Sequence, residues 1–368
     1  MNWQLESAAV ATGNCSGTPT AMRSPMPATI RERCRMARPS LYPAAWRTDP
    51  WYDATTVATL HANSRVTSRN SQYHRQIPGE ANVAISLVTG TSSGIGLATA
   101  VTLARGGHKV IATMRNLDGA GELRKIVSAE GLPITLATLD VDDDASVNDA
   151  VGKVLAENGC IDVLVNNAGV GGGGSVEEVP IGAFRQVMET NFFGGLRCIK
   201  AVIASMRERR QGCIVNVTSV AGRVAMAPQA AYAASKWAFE ALSECLAQEM
   251  KAFNVRVVII EPGVIATPIF SKGRPVPKDS PYPHLRRLRA FFNASLAKPT
   301  SPYVVGEKIC EIVESDSWQL RYPIGPDAAP FLKWRASKTD EEVVNQAAES
   351  DSDYKVRVKR EFGLDLEL

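Results

Sequence analysis

A doubly wound α/β fold, a single parallel sheet flanked by helices on both faces, is what this 368-residue sequence predicts. Three observations carry that expectation. From about Asn82 onward, short apolar runs alternate with longer helical stretches without a break. Those runs are mainly apolar along their length, as strands covered on both faces are. The first run ends in a glycine-rich loop that opens the first helix, Thr89-Gly90-Thr91-Ser92-Ser93-Gly94-Ile95-Gly96.

The elements follow in order. Val83 to Val88 is the first apolar run. Ile95 to Arg105 reads as a helix that Gly106-Gly107 stops. Lys109 to Thr113 is the second strand. A helix around Gly119 to Glu130 precedes a third strand, Ile134 to Leu139. A helix at about Ala145 to Glu157 precedes a fourth, Asp162 to Val165. The periodicity then predicts one long helix from about Ile181 to Arg209. Cys213 to Val217 is the fifth strand, Ala230 to Lys251 a helix, and Val255 to Ile260 the sixth strand.

Past Pro262 the order loosens. Seven prolines fall between residues 268 and 302, around a helical stretch at Pro283 to Leu296. Material after a late strand can cover the ligand crevice of such a sheet or run over the surface, and both readings stand. Val304 to Glu314 predicts a further helix and Leu320 to Pro323 a final strand. From Pro330 the chain is charged and helical in pieces. Residues 1–80 contain nine arginines, no lysine and seven prolines, with no sustained periodicity. They read as a disordered extension, or as translation from an incorrectly assigned upstream start. The division expected is therefore 1–80 extension, 81–327 catalytic domain and 328–368 charged tail.

Composition narrows the function. A net charge of +3 with no dense basic block argues against a nucleic-acid surface. No apolar run reaches the ~18 residues that span a bilayer. Seven scattered cysteines without a Cys-x-x-Cys pair, and four histidines, signal neither a disulfide framework nor a metal site. Reduced thiols in a cytoplasmic protein fit best.

The glycine loop is the first chemical feature. Glycines allow a tight turn and a close backbone approach, and the following helix N-terminus offers free N–H groups to a pyrophosphate. Gly90, Ser92, Ser93, Gly94, Ile95 and Gly96 are thus candidate dinucleotide contacts in a Rossmann-type sheet. At the end of the second strand the usual acidic ribose partner is missing, and Arg115 follows instead. A guanidinium can pair with a 2′-phosphate, so NADP(H) is expected over NAD(H). Asp140, beside Val141 after the third strand, is placed to accept from an adenine amino group. Asn167, Ala168 and Gly169 follow the fourth strand, where small residues let backbone lie against a cofactor ribose.

The second feature is Tyr232 with Lys236. Four residues apart on a helix, they share one face. An ammonium beside a phenol favours phenolate, so the Tyr232 pKa is expected to fall toward neutrality. Such a tyrosine can exchange a proton with an alcohol or a carbonyl. Alone this spacing is common, and a half-buried ring on a surface helix is the bland reading.

Taken in order, Thr89-Gly90-x-x-x-Gly94-x-Gly96, Asn166-Asn167-Ala168-Gly169, Thr190-Asn191-Phe192-Phe193-Gly194, Ser219, Tyr232-x-x-x-Lys236 and Pro262-Gly263 resemble the classical short-chain dehydrogenase/reductase family. The resemblance runs continuously over about 82–270. Ala112 to Leu117 and Arg321 to Gly325 look similar to the branch with 17β-hydroxysteroid and retinol dehydrogenases. The resemblance implies a catalytic set of Asn191, Ser219, Tyr232 and Lys236 and a small-molecule alcohol or ketone as substrate. Ser219 would hold the substrate oxygen and Tyr232 would move its proton. Lys236 would tune Tyr232 and bond the nicotinamide ribose, and Asn191, midway along the long helix, would anchor a relay water. Pro262, Gly263, Ile265 and Thr267 would lie by the nicotinamide. Family members commonly pair through the long helices, which implies a homodimer or homotetramer. The competing readings are a non-catalytic NADP-sensing protein on the same fold and a nucleotide-sugar epimerase or dehydratase. The intact catalytic set speaks against the first, and the chain length after Pro262 against the second.

Overall fold

In the computed structural model, residues 83–271 and 279–368 are described; the expected N-terminal extension lies outside them. Seven strands form one sheet in the order β3-β2-β1-β4-β5-β6-β7. They are β1 (Ile85–Thr89), β2 (Lys109–Met114), β3 (Ile134–Thr138), β4 (Val163–Asn166), β5 (Gly212–Val217), β6 (Val255–Pro262) and β7 (Arg321–Ile324). All neighbours pair in parallel. The fold class expected from sequence is the one observed. Strand order reverses between β1 and β4, and the crevice outside the carboxyl ends of these strands is where an open parallel sheet takes its ligand.

The connecting helices are α1 (Gly94–Arg105), α2 (Gly121–Glu130), α3 (Asp144–Asn158), α4 (Ile181–Met188), α5 (Gly194–Arg209) and α6 (Ala230–Lys251). After β6 come α7 (His284–Leu296), α8 (Tyr303–Glu314) and, past β7, α9 (Ala328–Ala336), α10 (Asp340–Gln346) and α11 (Asp351–Phe362). Strand residues sort by parity into two cores. Val88, Ala112, Val165 and Val215 pack with Leu97, Leu103, Val305 and Ile309 of α1 and α8. Leu87, Ile111, Leu164 and Ile214 pack with Val151, Ile199, Val202 and Phe239 of α3, α5 and α6. Period-two alternation between two apolar layers is why the strands read as continuous apolar runs.

The single helix expected over Ile181 to Arg209 is instead two. Glu189–Phe193 forms a π-helical turn between α4 and α5. Such a turn adds a residue to the hydrogen-bonded ring and re-aims a side chain without breaking the axis. Its residues carry no Pro, and the apolar periodicity runs through it, so sequence pattern has no mark for it.

The charged C-terminal stretch packs on α7. Phe291 of α7 is 2% exposed and meets the rings of Phe331 and Phe362 at 5.6 and 5.7 Å. Buried Arg287 donates to Asp351 at 2.8 Å and to the Glu349 carbonyl at 2.7 Å. We expect Phe291→Ala to cost about 3–5 kcal/mol of unfolding free energy, because a large ring would leave a cavity in a cluster of other rings. A urea midpoint that does not move would show that the cluster carries no stability.

Candidate active site

The glycine loop is pinned to the sheet before it meets any ligand. Thr91 donates to the Thr113 carbonyl through N at 3.0 Å and through Oγ1 at 3.1 Å. Asn167 Nδ2 donates to the carbonyls of Thr89 at 2.9 Å and Gly90 at 3.1 Å. Thr89 Oγ1 accepts from the backbone N–H groups of Asn167 and Ala168, both at 3.0 Å. Gly90 and Gly94 have φ of +70° and +60°, a region that favours glycine. A Cβ on Gly96 would lie 2.3 Å from both Asn167 Nδ2 and the Gly90 carbonyl oxygen. Side-chain-free backbone therefore forms a cradle around the start of α1, whose N-cap Ser93 makes no side-chain cap. The orphan N–H groups of that first turn are the donor set a pyrophosphate requires, so the loop fits the expected dinucleotide.

The other candidate cofactor contacts stand at or just past the carboxyl ends of β1, β2, β3, β4 and β6. Ser92 and Arg115 are exposed after β1 and β2, which are neighbours in register through Thr89 and Thr113. Asp140 Oδ1 accepts from the backbone of Asp142 at 3.1 Å. Val141 is buried, and a Cβ on Gly194 would lie 2.8 Å from its Cγ2. Thr267 faces the loop, with its Cβ 3.1 Å from where a Cβ on Gly94 would lie. The Pro262 carbonyl accepts from Ser219 Oγ at 3.5 Å. Gly263 leaves room for Asp327, which accepts from Val264 N at 2.8 Å. Ile265 is 2% exposed, so its side chain belongs to the core beneath the sheet. Asn167 emerges as a brace of the loop through its side chain.

Asn191, Ser219, Tyr232 and Lys236 come together from three elements: the π-helical turn, the connection just past β5, and α6, which carries both Tyr232 and Lys236. Ser219 lies two residues past β5 and caps the 3₁₀ turn Val220–Gly222, accepting from Ala221 N at 3.1 Å. Its hydroxyl also lies beside the Tyr232 phenol, where it acts to lower the phenol's pKa. Lys236 on α6 is 5% exposed and donates from Nζ to the Val217 carbonyl at 3.0 Å. The π-helical turn aims Asn191 at the strand end opposite: its Oδ1 accepts from Val170 N at 2.8 Å, and its Nδ2 donates to Val170 O at 3.0 Å and Ser235 Oγ at 3.0 Å. Sequence spacing could not have selected Val170 or Ser235 as its partners, since Ser235 is 44 residues away.

One electrostatic expectation is corrected. The Tyr232 pKa is raised from its ordinary value, because burial of the phenol outweighs the Ser219 hydroxyl that lowers it. Lys236 does not reverse this. Its Nζ sits 5.7 Å from the ring centroid and is held by the Val217 carbonyl. Burial also pushes Lys236 itself down to about 8, against the opposing pull of Glu240. Desolvation disfavours both charged forms, an effect that helix spacing alone does not contain.

Several residues around the site were not singled out from sequence: Ser235, Thr218, Glu240 and Asp327. Ser235 lies inside the Tyr-Lys motif, and a polar residue between two candidates was a usable signal. Asp327 had none. Among the described residues no cluster of His, Cys, Asp or Glu is placed to hold a metal ion. No helix among them is long and apolar enough to cross a membrane.

The known proteins similar to this chain agree with the geometry. Residues 84–276 match the family model described as short chain dehydrogenase. The chain is 45% identical over 185 residues to retinol dehydrogenase 8 of Bos taurus, a match spanning 49% of this chain and 59% of that protein. It thus spans little more than half the length of that relative. A short-chain dehydrogenase structure from Streptomyces avermitilis is 33% identical with a TM-score of 0.64, covering 73% of this chain and 100% of that one. An alcohol dehydrogenase from Thermococcus sibiricus, complexed with 5-hydroxy-NADP, is 25% identical with a TM-score of 0.56, covering 66% and 96%. With its sheet order, its glycine cradle and this matched span, the chain belongs to the short-chain dehydrogenase/reductase family of oxidoreductases, close to the retinol and hydroxysteroid dehydrogenase branch.

Proposed function

We propose that the protein is an NADP(H)-dependent oxidoreductase that interconverts a secondary alcohol and a ketone, with a hydrophobic compound such as a steroid, retinoid or oxoacyl derivative as substrate. The observation that carries this reading is the meeting of two hydroxyls, Ser219 and Tyr232, with a buried ammonium, Lys236, outside the carboxyl end of β5. A sensor that only binds nucleotide has no use for that set. Ser219 Oγ holds and polarises the substrate oxygen, and Tyr232 Oη gives it a proton in reduction or takes one in oxidation. The raised Tyr232 pKa keeps the phenol protonated at neutral pH, which suits it to donate in the reductive direction. Lys236 offers its ammonium to the phenol and to a ribose hydroxyl. Asn191, fixed to Val170, anchors the path by which Lys236 exchanges protons with solvent. The hydride is the part of the reaction that a bound NADP(H) supplies.

Ser92, Ser93 and Arg115 favour the 2′-phosphorylated cofactor, since Arg115 and not an acidic residue stands at the end of β2. The Thermococcus sibiricus structure with 5-hydroxy-NADP supports the same choice. Arg115→Asp should lower the NADPH-to-NADH ratio of kcat/KM by about a hundredfold, from one charge-assisted hydrogen bond lost and one repulsion gained. An unchanged ratio would remove Arg115 from phosphate recognition. We place the enzyme in the cytoplasm as a homodimer or homotetramer, on the reduced-thiol composition and on family habit. The deciding experiment is an NADPH-oxidation screen over ketosteroids, retinal, 3-oxoacyl thioesters, sugars and small ketones. Tight NADPH binding without turnover of any of them would favour the sensor reading.

A further inference from the structure

A cluster of buried charge lies directly beneath this site. Glu240 follows Lys236 by one turn on α6 and is 4% exposed, and Glu261 near the end of β6 is 1% exposed. Arg321 of β7 donates to Glu240 Oε2 at 2.9 Å and to Glu244 at 2.6 Å, and lies 3.9 Å from Glu261. Arg223, just past the turn that Ser219 caps, donates to Glu261 at 3.2 Å. The other oxygen of Glu240 accepts from the hydroxyl of Thr218, the residue before Ser219, at 2.6 Å. Gly222 makes this approach possible: a Cβ there would lie 2.8 Å from Glu240 Cγ and 3.1 Å from the Lys236 carbonyl oxygen.

The end of β5 is therefore tied to α6 at two heights. Lys236 Nζ holds the Val217 carbonyl at 3.0 Å, and Glu240 holds the Thr218 hydroxyl. Buried ion pairs are poor devices for stability, since a well-packed apolar seam does as well or better. The position of the charge is the informative part. Lys236 is faced by Tyr232 and Glu240 from α6 and by the Val217 main chain from β5. From the other side come Gly169 and Asn191, where a Cβ on Gly169 would lie 3.8 Å from Lys236 Nζ and 3.2 Å from Asn191 Oδ1. Of these groups Glu240 alone is an acid.

We propose that Glu240 is a positioning residue for the reaction: clamped between Thr218 and Arg321, it sets Ser219 against Tyr232 and places an acidic group one turn from Lys236. The assignment rests on the functional reading of Lys236 given above. Burial drives Lys236 toward the neutral amine, and Glu240 opposes that drive. Arg321, bonded to Glu240 on the side away from Thr218, brings a charge of opposite sign to the same cluster.

The test is a titration of Lys236 by NMR in the full-length protein with lysine labelled with ¹³C at Cε. The Lys236 resonance is assigned by its loss in Lys236→Arg. In Glu240→Gln, which keeps the size and an acceptor for Arg321, the midpoint should fall by about one pH unit. In Arg321→Gln, which frees the acid of its cation, the midpoint should rise. Midpoints that stay put, or that move in the same direction in both variants, overturn the proposal. Should Glu240→Gln not fold, the rise in Arg321→Gln decides alone. The readout needs no turnover. A protein whose midpoints move as stated but which oxidises NADPH with no ketone sustains the Glu240–Lys236 coupling and overturns the enzymatic reading instead.

Discussion

Tyr232→Phe is expected to lower kcat for NADPH-dependent reduction by about a thousandfold, the usual scale for loss of a positioned proton donor. The substitution removes one oxygen and keeps the ring. Ser219 retains its bond from Ala221 N at 3.1 Å, and Lys236 retains the Val217 carbonyl at 3.0 Å, so the surroundings have no reason to collapse. The glycine loop is braced by Asn167 and Thr113, neither of which touches the phenol. Affinity for NADPH, read by fluorescence titration, should therefore stay within about threefold of the parent. Turnover that survives in this variant would take Tyr232 out of the reaction, whatever the role of Ser219 and Lys236.

Gly96→Ala should act at the opposite end of the site, on binding. Its Cβ would lie 2.3 Å from Asn167 Nδ2 and from the Gly90 carbonyl oxygen. Those two atoms are themselves hydrogen-bonded at 3.1 Å, so the methyl group would drive apart the brace that shapes the loop. Overpacking of this kind costs about 1–3 kcal/mol of stability, and the displaced loop should weaken NADPH binding at least about tenfold. Gly121→Ala is the matched control, because Gly121 opens α2 in open space with nothing within 4 Å of its Cβ position. That variant should keep full NADPH affinity. Equal affinity in both variants would mean that the cradle around Gly96 is not where the dinucleotide rests.

Much of the architecture was legible because its causes are local. Strands buried on both faces must be apolar throughout, and a loop that lets backbone approach a phosphate must shed its side chains. Both demands leave marks on consecutive residues. Tyr232 and Lys236 were legible for the same reason, since four residues along a helix are one turn in space. Ser219 was within reach because a strand end and a helix start are joined by a short loop. The π-helical turn at Asn191 left no such mark. It is justified by contacts to Val170 and Ser235, which the chain reaches only after folding. Its neighbours Gly194 and Gly195 hint at close packing, against Val141 and Phe239, without saying what shape the backbone takes.

By itself, then, the sequence determined the order of strands and helices, the glycine-rich loop and the candidate groups for proton transfer. The tertiary structure alone decided how those groups are charged and held. Desolvation raises Tyr232 and lowers Lys236, reversing what the Tyr-Lys spacing suggests, because burial is a property of the packed core and not of neighbours along a helix. The pairing of Glu240 with Arg321, 81 residues apart, exists only because the sheet carries β7 to the edge beside β6. Long-range packing sets the dielectric and the partners of each group, and those set its chemistry.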